Sequence, residues 1–310
     1  MYDTVNFWID RAMVGGDPFA VAQYLSNITE RSNEAQGYTA TGKVGDYSVL
    51  LTASGISLKG SLPKFLLPTN IHTLSRSGAS QAIEKLSDTL HLPIKDSKVA
   101  RIDVSTVLLV KQPPSNYYPF LGNKPRFQRL QATPDTLYYN TGKKQLIFYN
   151  KIAEAHAKGV SIPAGFSGEN LMRLEARFTK RLPDQFNLPK VTGETLTDER
   201  FYTGIVKRWG DEYFSIQKLK ANTLMDTSSI KTPNDAKEVL FTSLLQSAGL
   251  EMVDNFLSNL KARKTFSDPK YYTRTKNELE RLINSKTTAE RSDLIKELDD
   301  AVSEVLLNCR

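Results

Sequence analysis

Three short runs constrain this chain more than any other feature: Lys144-Gln-Leu-Ile-Phe-Tyr149-Asn-Lys151, Arg101-Ile-Asp103-Val and Arg173-Leu-Glu175-Ala-Arg177. Each is β-prone and alternates in character. Successive side chains of a strand point to opposite faces, so a period of two divides each run into two sets. Gln145, Ile147, Tyr149 and Lys151 share one face. Arg173, Glu175 and Arg177 share one face of the third run, and Met172, Leu174, Ala176 and Phe178 share the other. Such runs fit a sheet with one apolar face and one polar face.

The 310 residues suit one large domain or two moderate ones. Hydrophobic residues are 40% and charged residues 24%, enough for a core and against wholesale disorder. No apolar run reaches about 18 residues, so no membrane span is expected. The start, Met1-Tyr-Asp-Thr-Val-Asn-Phe-Trp-Ile-Asp, lacks the basic and long apolar parts of a signal peptide and reads as an alternating strand. The single cysteine, Cys309, excludes a disulfide framework within one chain and a thiolate metal site. Together these features favour the cytoplasm. The net charge is +7, and residues 221–310 hold 13 Lys and Arg against 14 Asp and Glu. The basic excess therefore lies wholly within residues 1–220, beside the three runs, and suits a polyanion such as nucleic acid.

Along the chain, residues 2–13 read as a first strand and Asp17–Leu25 as a helix opened by Asp17 and Pro18. Tyr38–Val44 and Tyr47–Leu58 read as two strands joined at Gly45-Asp46. Helical spacing at Ala79, Ala82, Ile83, Leu86 and Leu90 predicts a helix over Ser77–Leu90. Arg101–Val110 is a strand, proline-rich 111–135 a long loop, and Thr136–Asn140 with Lys144–Asn150 a hairpin at Thr141-Gly142. A helix follows through Lys158, then a strand over Asn170–Thr179. This order predicts an α+β fold, an antiparallel sheet with helices on one face. After residue 220 the spacing turns helical, with apolar positions at Val239, Leu240, Leu244, Ala248, Met252, Phe256 and Leu260 and a capping-box spacing at Thr287 and Glu290. The expected division is a domain of residues 1–220 and a helical region of 221–310.

The three runs place a tyrosine, a lysine, two carboxylates and several arginines within reach of one sheet face, provided the strands are neighbours. A phenol attacking phosphorus needs nearby positive charge, which Lys151 can supply while also passing a proton to a leaving oxygen. A tyrosine at a strand end is more often a packing residue. Asp103 and Glu175 suit Mg²⁺ or Mn²⁺, which prefer oxygen ligands, and the bland alternative is salt bridges to Arg101, Arg173 and Arg177. Of the three histidines, His72 is the best candidate ligand; His91 reads as a capping or surface residue and His156 as structural. No phosphate-binding glycine loop of the P-loop type occurs, which argues against ATP hydrolysis.

Four motifs in order, Ser61-Leu-Pro-Lys64-Phe-Leu-x-x-Thr-Asn70, Ala100-Arg-Ile-Asp103-Val, Leu146-Ile-Phe-Tyr149-Asn-Lys151 and Met172-Arg-Leu-Glu175-Ala-Arg177-Phe, span roughly residues 50–190. In these the chain resembles the replication initiators of filamentous bacteriophages, the gene II/X type, and related plasmid rolling-circle initiators. The resemblance implies a metal-dependent enzyme that nicks and rejoins one strand at an origin. It joins a tyrosine to the 5′-phosphate and leaves a 3′-OH primer, with Tyr149 and Lys151 as the matching Tyr-x-Lys pair. Asp103, Glu175 and His72 are the expected ligands, by chemistry more than by family, and at His72 the sequence departs from the phage pattern. Lys59, Lys64, Asn70, Arg101, Arg173 and Arg177 are the expected DNA contacts.

Expected partners are origin DNA, single-stranded or supercoiled duplex, with a host helicase and self-association as further candidates and no membrane. The rival readings are a basic DNA-binding regulator without catalysis, from a phage or plasmid, and a transfer relaxase. The latter's three-histidine cluster and N-terminal tyrosine are not evident here.

Overall fold

The computed structural model describes residues 1–33, 37–219, 230–284 and 293–309. Ten strands form one sheet: β1 (Tyr2–Asp10), β2 (Ser26–Asn33), β3 (Gly37–Val44), β4 (Tyr47–Thr52), β5 (Gly55–Ser61), β6 (Lys98–Val110), β7 (Gln128–Thr133), β8 (Thr136–Asn140), β9 (Lys144–Asn150) and β10 (Asn170–Thr179). Their order is β2-β3-β4-β5-β1-β6-β10-β9-β8-β7, and every pairing is antiparallel. Helices accompany this sheet, as the α+β reading expects, and the C-terminal region is helical.

The period of two in the sequence becomes the two faces of the sheet. Val5, Phe7 and Ile9 of β1 are buried, while Asn6 and Trp8 are half-buried on the other side. In β10, Leu174 and Phe178 face the apolar side. There the helix Glu199–Phe214 covers them: Trp209 donates its indole N–H to the Leu174 carbonyl at 3.2 Å, and the Tyr213 ring lies 6.3 Å from that of Phe148. Asp198 caps this helix, accepting from the Phe201 N–H at 2.7 Å. The helix Arg76–Leu90 buries Ala79, Ala82, Ile83, Leu86 and Leu90, as their spacing predicts, and ends where His91 takes a left-handed φ of 51°.

Several boundaries differ from the sequence reading. The first strand stops at Asp10, and Arg11–Val14 turn as a short helix. The Asp17-capped segment is a 3₁₀ helix over Pro18–Tyr24. The run 47–58 is two strands, because Thr52 Oγ1 donates to the Gly55 carbonyl at 2.8 Å and Gly55 adopts a φ of +152°, closing a turn. The proline-rich loop contains the edge strand β7, whose side chains are largely exposed and give no alternating signal.

The chain forms two compact units, one of residues 1–116, 123–216 and 298–310, the other of 117–122 and 217–297. Residues 117–122 thus group with the second unit and residues 298–310 with the first, across the expected division at 220. In the second unit Thr232 and Asp235 form a capping box at the start of the helix Pro233–Ala262. Leu245, Val253 and Leu257 of that helix pack with Leu279 of the helix Pro269–Asn284. Of the expected stripe, Leu260 packs against this cluster, whereas Leu240, Leu244, Met252 and Phe256 are exposed, so over those positions the buried face is rotated by one residue. The spacing at Thr287 and Glu290 lies outside the described residues. The last helix, Asp293–Asn308, buries Leu298 and Val302, and Tyr213 donates to Asp299 at 2.7 Å. Among the described residues no helix is long and apolar enough to cross a membrane.

Leu174, fully buried in a central strand, and Leu130, 49% exposed on the edge, make a matched test. Leu174→Ala should cost about 2–5 kcal/mol, lowering the urea midpoint of the sheet unit with its slope unchanged. Leu130→Ala should stay within about 0.5 kcal/mol of the parent.

Candidate functional site

Strands β6, β10, β9 and β8 are consecutive neighbours, so the condition set by the sequence is met. Arg177 pairs with Asp103, Arg173 with Tyr149 and Thr136 with Tyr149, which puts Asp103, Arg173, Glu175, Arg177 and Tyr149 on one face. Tyr138, opposite Ile147, shares it; Tyr139 points the other way, is fully buried, and has its phenol pushed up to about 12 by burial. A cavity of about 570 Å³ opens on this face, with Tyr149, Tyr138, Asp103, Glu175, Arg101, Arg177, Asn70 and Glu154 among its walls.

Beneath the cavity lies a buried hydrogen-bonded network. Arg173, with no solvent exposure, donates to Asp3 Oδ2 and to Ser105 Oγ, each at 2.6 Å, and to the Asn70 carbonyl. Asp3 Oδ1 accepts from Ser61 Oγ at 2.8 Å and from the Asn70 amide at 3.5 Å. Burial pushes the Asp3 carboxyl up, but the Arg173 charge, these two hydrogen bonds and Lys151 outweigh it and hold it below the ordinary value. Lys151 Nζ donates to Asn70 Oδ1 at 2.8 Å and to Glu154 Oε2 at 2.7 Å. Its own pKa is lowered by desolvation, with the Glu154 hydrogen bond opposing.

Around the cavity lies a second group. Arg101 grips Asp103 with two hydrogen bonds, one from Nε to Oδ1 at 2.8 Å. Arg177 reaches Asp103 Oδ2 at 3.4 Å, Glu175 Oε1 at 2.8 Å and Gln145 Oε1 at 2.8 Å. Burial pushes the Asp103 carboxyl up to about 7; Arg101 opposes this, Glu175 adds to it and Arg177 opposes. Burial likewise pushes the Tyr149 phenol up, against the charge of Arg173 and with help from Glu175, Asp3 and Glu154.

Local sequence explains these positions. Asn150 ends β9 and caps the next helix, Lys151–Ala157, its Oδ1 accepting from Ile152 and Ala153 N–H at 3.1 Å each. Lys151 is therefore the first residue of a helix. It does not continue the Tyr149 face of the strand, and the cation paired in register with Tyr149 is Arg173. Arg173, expected as a DNA contact, is wholly enclosed. Arg101 and Arg177, with side chains 27% exposed, do reach the surface. Asn70 reaches the cavity from its loop, Lys59 is exposed on β5, and Lys64 is half-buried in the short helix Leu62–Leu66.

His72 is exposed, its ring 5.7 Å from that of Phe166, and is not in the cavity wall. Among the described residues no group of three or more His, Cys, Asp and Glu is placed to hold a metal ion. Asp103 and Glu175 do present hard oxygen donors to one cavity, the kind Mg²⁺ and Mn²⁺ take. The sequence reading missed Asp3. Parity hides it: in the letters Asp3 alternates with Val5, Phe7 and Ile9, but a register shift between Tyr2 and Val5 turns it onto the face of Arg173.

Sheet, cavity and paired charges define a two-faced sheet protein whose polar face carries a tyrosine amid carboxylates and arginines. The family model described as the N-terminal part of a phage replication-associated protein, the gene II type, matches residues 1–198, and the chain belongs to that family. Membership implies DNA binding and replication initiation. The matched stretch contains all ten strands and every site residue named above. No curated protein is matched.

The Asp3–Arg173 pair supplies a test. Asp3→Ala leaves a buried guanidinium without its counter-charge and should cost about 3–5 kcal/mol. The pair Asp3→Leu with Arg173→Met should cost less than the two single changes summed. A depressed carboxyl contributes stability that is complete above its unfolded value and is lost as pH falls through its folded value. The parent should therefore lose stability below about pH 4, and Asp3→Ala should flatten that acid limb in urea titrations.

Proposed function

We propose that this protein initiates rolling-circle replication by nicking and rejoining one DNA strand through Tyr149, on the rolling-circle nuclease type of fold. The observation that carries this reading is the single cavity that joins Tyr149 to Asp103, Glu175, Arg101 and Arg177. Arg101 and Arg177, which reach the surface, pair with the oxygens of the scissile phosphate. The Tyr149 oxygen forms a bond to phosphorus as the bond to O3′ breaks. The phenol proton leaves to water as this bond forms, and the departing O3′ takes up a proton, leaving a 3′-OH end. Reversal rejoins the strand. Lys151 acts indirectly, by positioning Asn70 and Glu154 in the cavity wall.

Asp103 and Glu175 would hold Mg²⁺ or Mn²⁺, with His72 outside the site. The ion would polarise a phosphate oxygen. Both carboxylates are now held by Arg101 and Arg177, which a cation would have to displace. That neutralised cluster also favours a rival reading, a DNA-binding regulator without catalysis.

Nicking of supercoiled DNA bearing the cognate origin decides between them. Tyr149→Phe should abolish relaxed-circle formation and leave DNA binding nearly intact. Full nicking by this variant would move the nucleophile, with Tyr138 as the next tyrosine of the cavity. Asp103→Ala and Glu175→Ala should each lower metal-dependent nicking by orders of magnitude, since a Lewis-acid metal is worth several kcal/mol, and weaken Mn²⁺ binding in calorimetry. Undiminished Mn²⁺ binding in both removes the ligand assignment.

A further inference from the structure

The polar face of the sheet does not end at the cavity. Register carries it across β1 and out to β2. Ser26 pairs with Lys43, Lys43 with Ser48, Ser48 with Lys59, Lys59 with Asn6, and Asn6 with Arg101. One transverse row therefore runs from the β2 edge to Arg101 in the cavity wall, with a cation on every second strand from β3 onward. At about 4.8 Å per strand, Lys43 and Arg101 stand about 19 Å apart. The adjacent row runs Thr41, Leu50, Ser57, Trp8 and Lys98.

Lys43, Lys59 and Lys98 are exposed, and Trp8 is half-buried. A second cavity of about 370 Å³ lies on this face, walled by Lys43, Lys59, Thr41, Ser48, Ser57 and Asn27 among others, which is a set of ammonium, hydroxyl and amide donors. Trp8 is oriented by a hydrogen bond from its indole N–H to Asp10 Oδ1 at 2.7 Å. Its ring lies close over Gly55, where an added Cβ would stand 3.0 Å from the indole Cζ2. A glycine at that position leaves room for the indole to lie along the sheet.

We infer that the outer face of β3, β4, β5 and β1 is a track for single-stranded DNA that leads into the Tyr149 cavity. The lysine row takes the phosphates, and Trp8 stacks a base. Charge complementarity favours this occupant: in these two rows and at their margin, Lys43, Lys59, Lys98 and Arg101 outnumber the exposed carboxylates there, Asp10 at the far end of β1 and Asp46 in the β3–β4 turn. Stacking selects unpaired bases, because an aromatic platform engages a base through its π-face, which a duplex keeps within its own stack. The track rests on the DNA reading of the cavity and extends it beyond the scissile phosphate.

Intrinsic fluorescence tests it directly, because the chain has two tryptophans and Trp209 is fully buried. The full chain is titrated with oligo(dT) of about 16 nucleotides, with fluorescence anisotropy of labelled oligo(dT) followed in parallel. Binding should quench the Trp8 emission, and Trp8→Phe should remove the quench. Lys43→Gln with Lys59→Gln should weaken binding about tenfold at low salt and reduce the slope of log K against log salt by about 1.4, two single-strand phosphate contacts. Binding that persists with no quench and no effect of the lysine changes overturns the track while leaving the DNA reading intact. Equal quenching by a duplex of the same length overturns the single-strand assignment. An absence of any DNA binding in the anisotropy arm overturns the underlying DNA reading, and the track with it.

Discussion

The buried ion pair of Asp3 and Arg173 is the constraint on which the rest of the site depends. Asp3 lies on β1 and Arg173 on β10, with β6 between them, so the pair spans three strands at the centre of the sheet. Two charges with almost no solvent are tolerable when most of their remaining donors and acceptors are met. Ser61, Ser105 and Asn70 meet all but the Arg173 Nε, from β5, β6 and the loop before the helix Arg76–Leu90. That loop is drawn to the site by this requirement, and Lys151 follows through Asn70. The result is a fixed charged floor under Tyr149.

The second group of charges is built differently. Arg101 and Arg177 neutralise Asp103 and Glu175, yet both guanidiniums keep a quarter of their side-chain surface in solvent. An exposed guanidinium can turn from a carboxylate to a phosphate at small cost, since both anions accept two hydrogen bonds from the same fork. The enclosed Arg173 has no such freedom. Burial therefore divides three arginines of one sheet face into one that holds the fold and two that can meet a ligand.

Much of this was legible in residue parity. The alternation in residues 101–104, 144–149 and 173–177 pointed to the polar face and its members, while the pairing of β10 with β6 and β9 came only from the fold, since no hairpin joins them. Three things were not legible. Lys151 continues the alternation in letters, but Asn150 satisfies two helix N–H groups and turns the chain. His72 has the right chemistry for a ligand, yet a loop residue's position follows from tertiary contacts that no local pattern encodes. Arg173 looked like a surface cation because strand parity tells which face a residue occupies, not how deep that face lies. Asp3 shows the same limit, since letter parity groups it with Val5, Phe7 and Ile9, while the register shift between Tyr2 and Val5 puts it beneath the polar face with Arg173.

The claim that Tyr149 is the nucleophile is tested most directly by finding the covalent bond itself. The full chain is incubated with supercoiled cognate-origin DNA, the DNA is digested with nucleases, and the protein is digested with trypsin for mass spectrometry. The account predicts a nucleotide joined through a 5′-phosphate to the tyrosine of the peptide that contains Tyr149. A nucleotide on the peptide of Tyr138 and Tyr139 instead, or nicked DNA with no protein adduct, would contradict it.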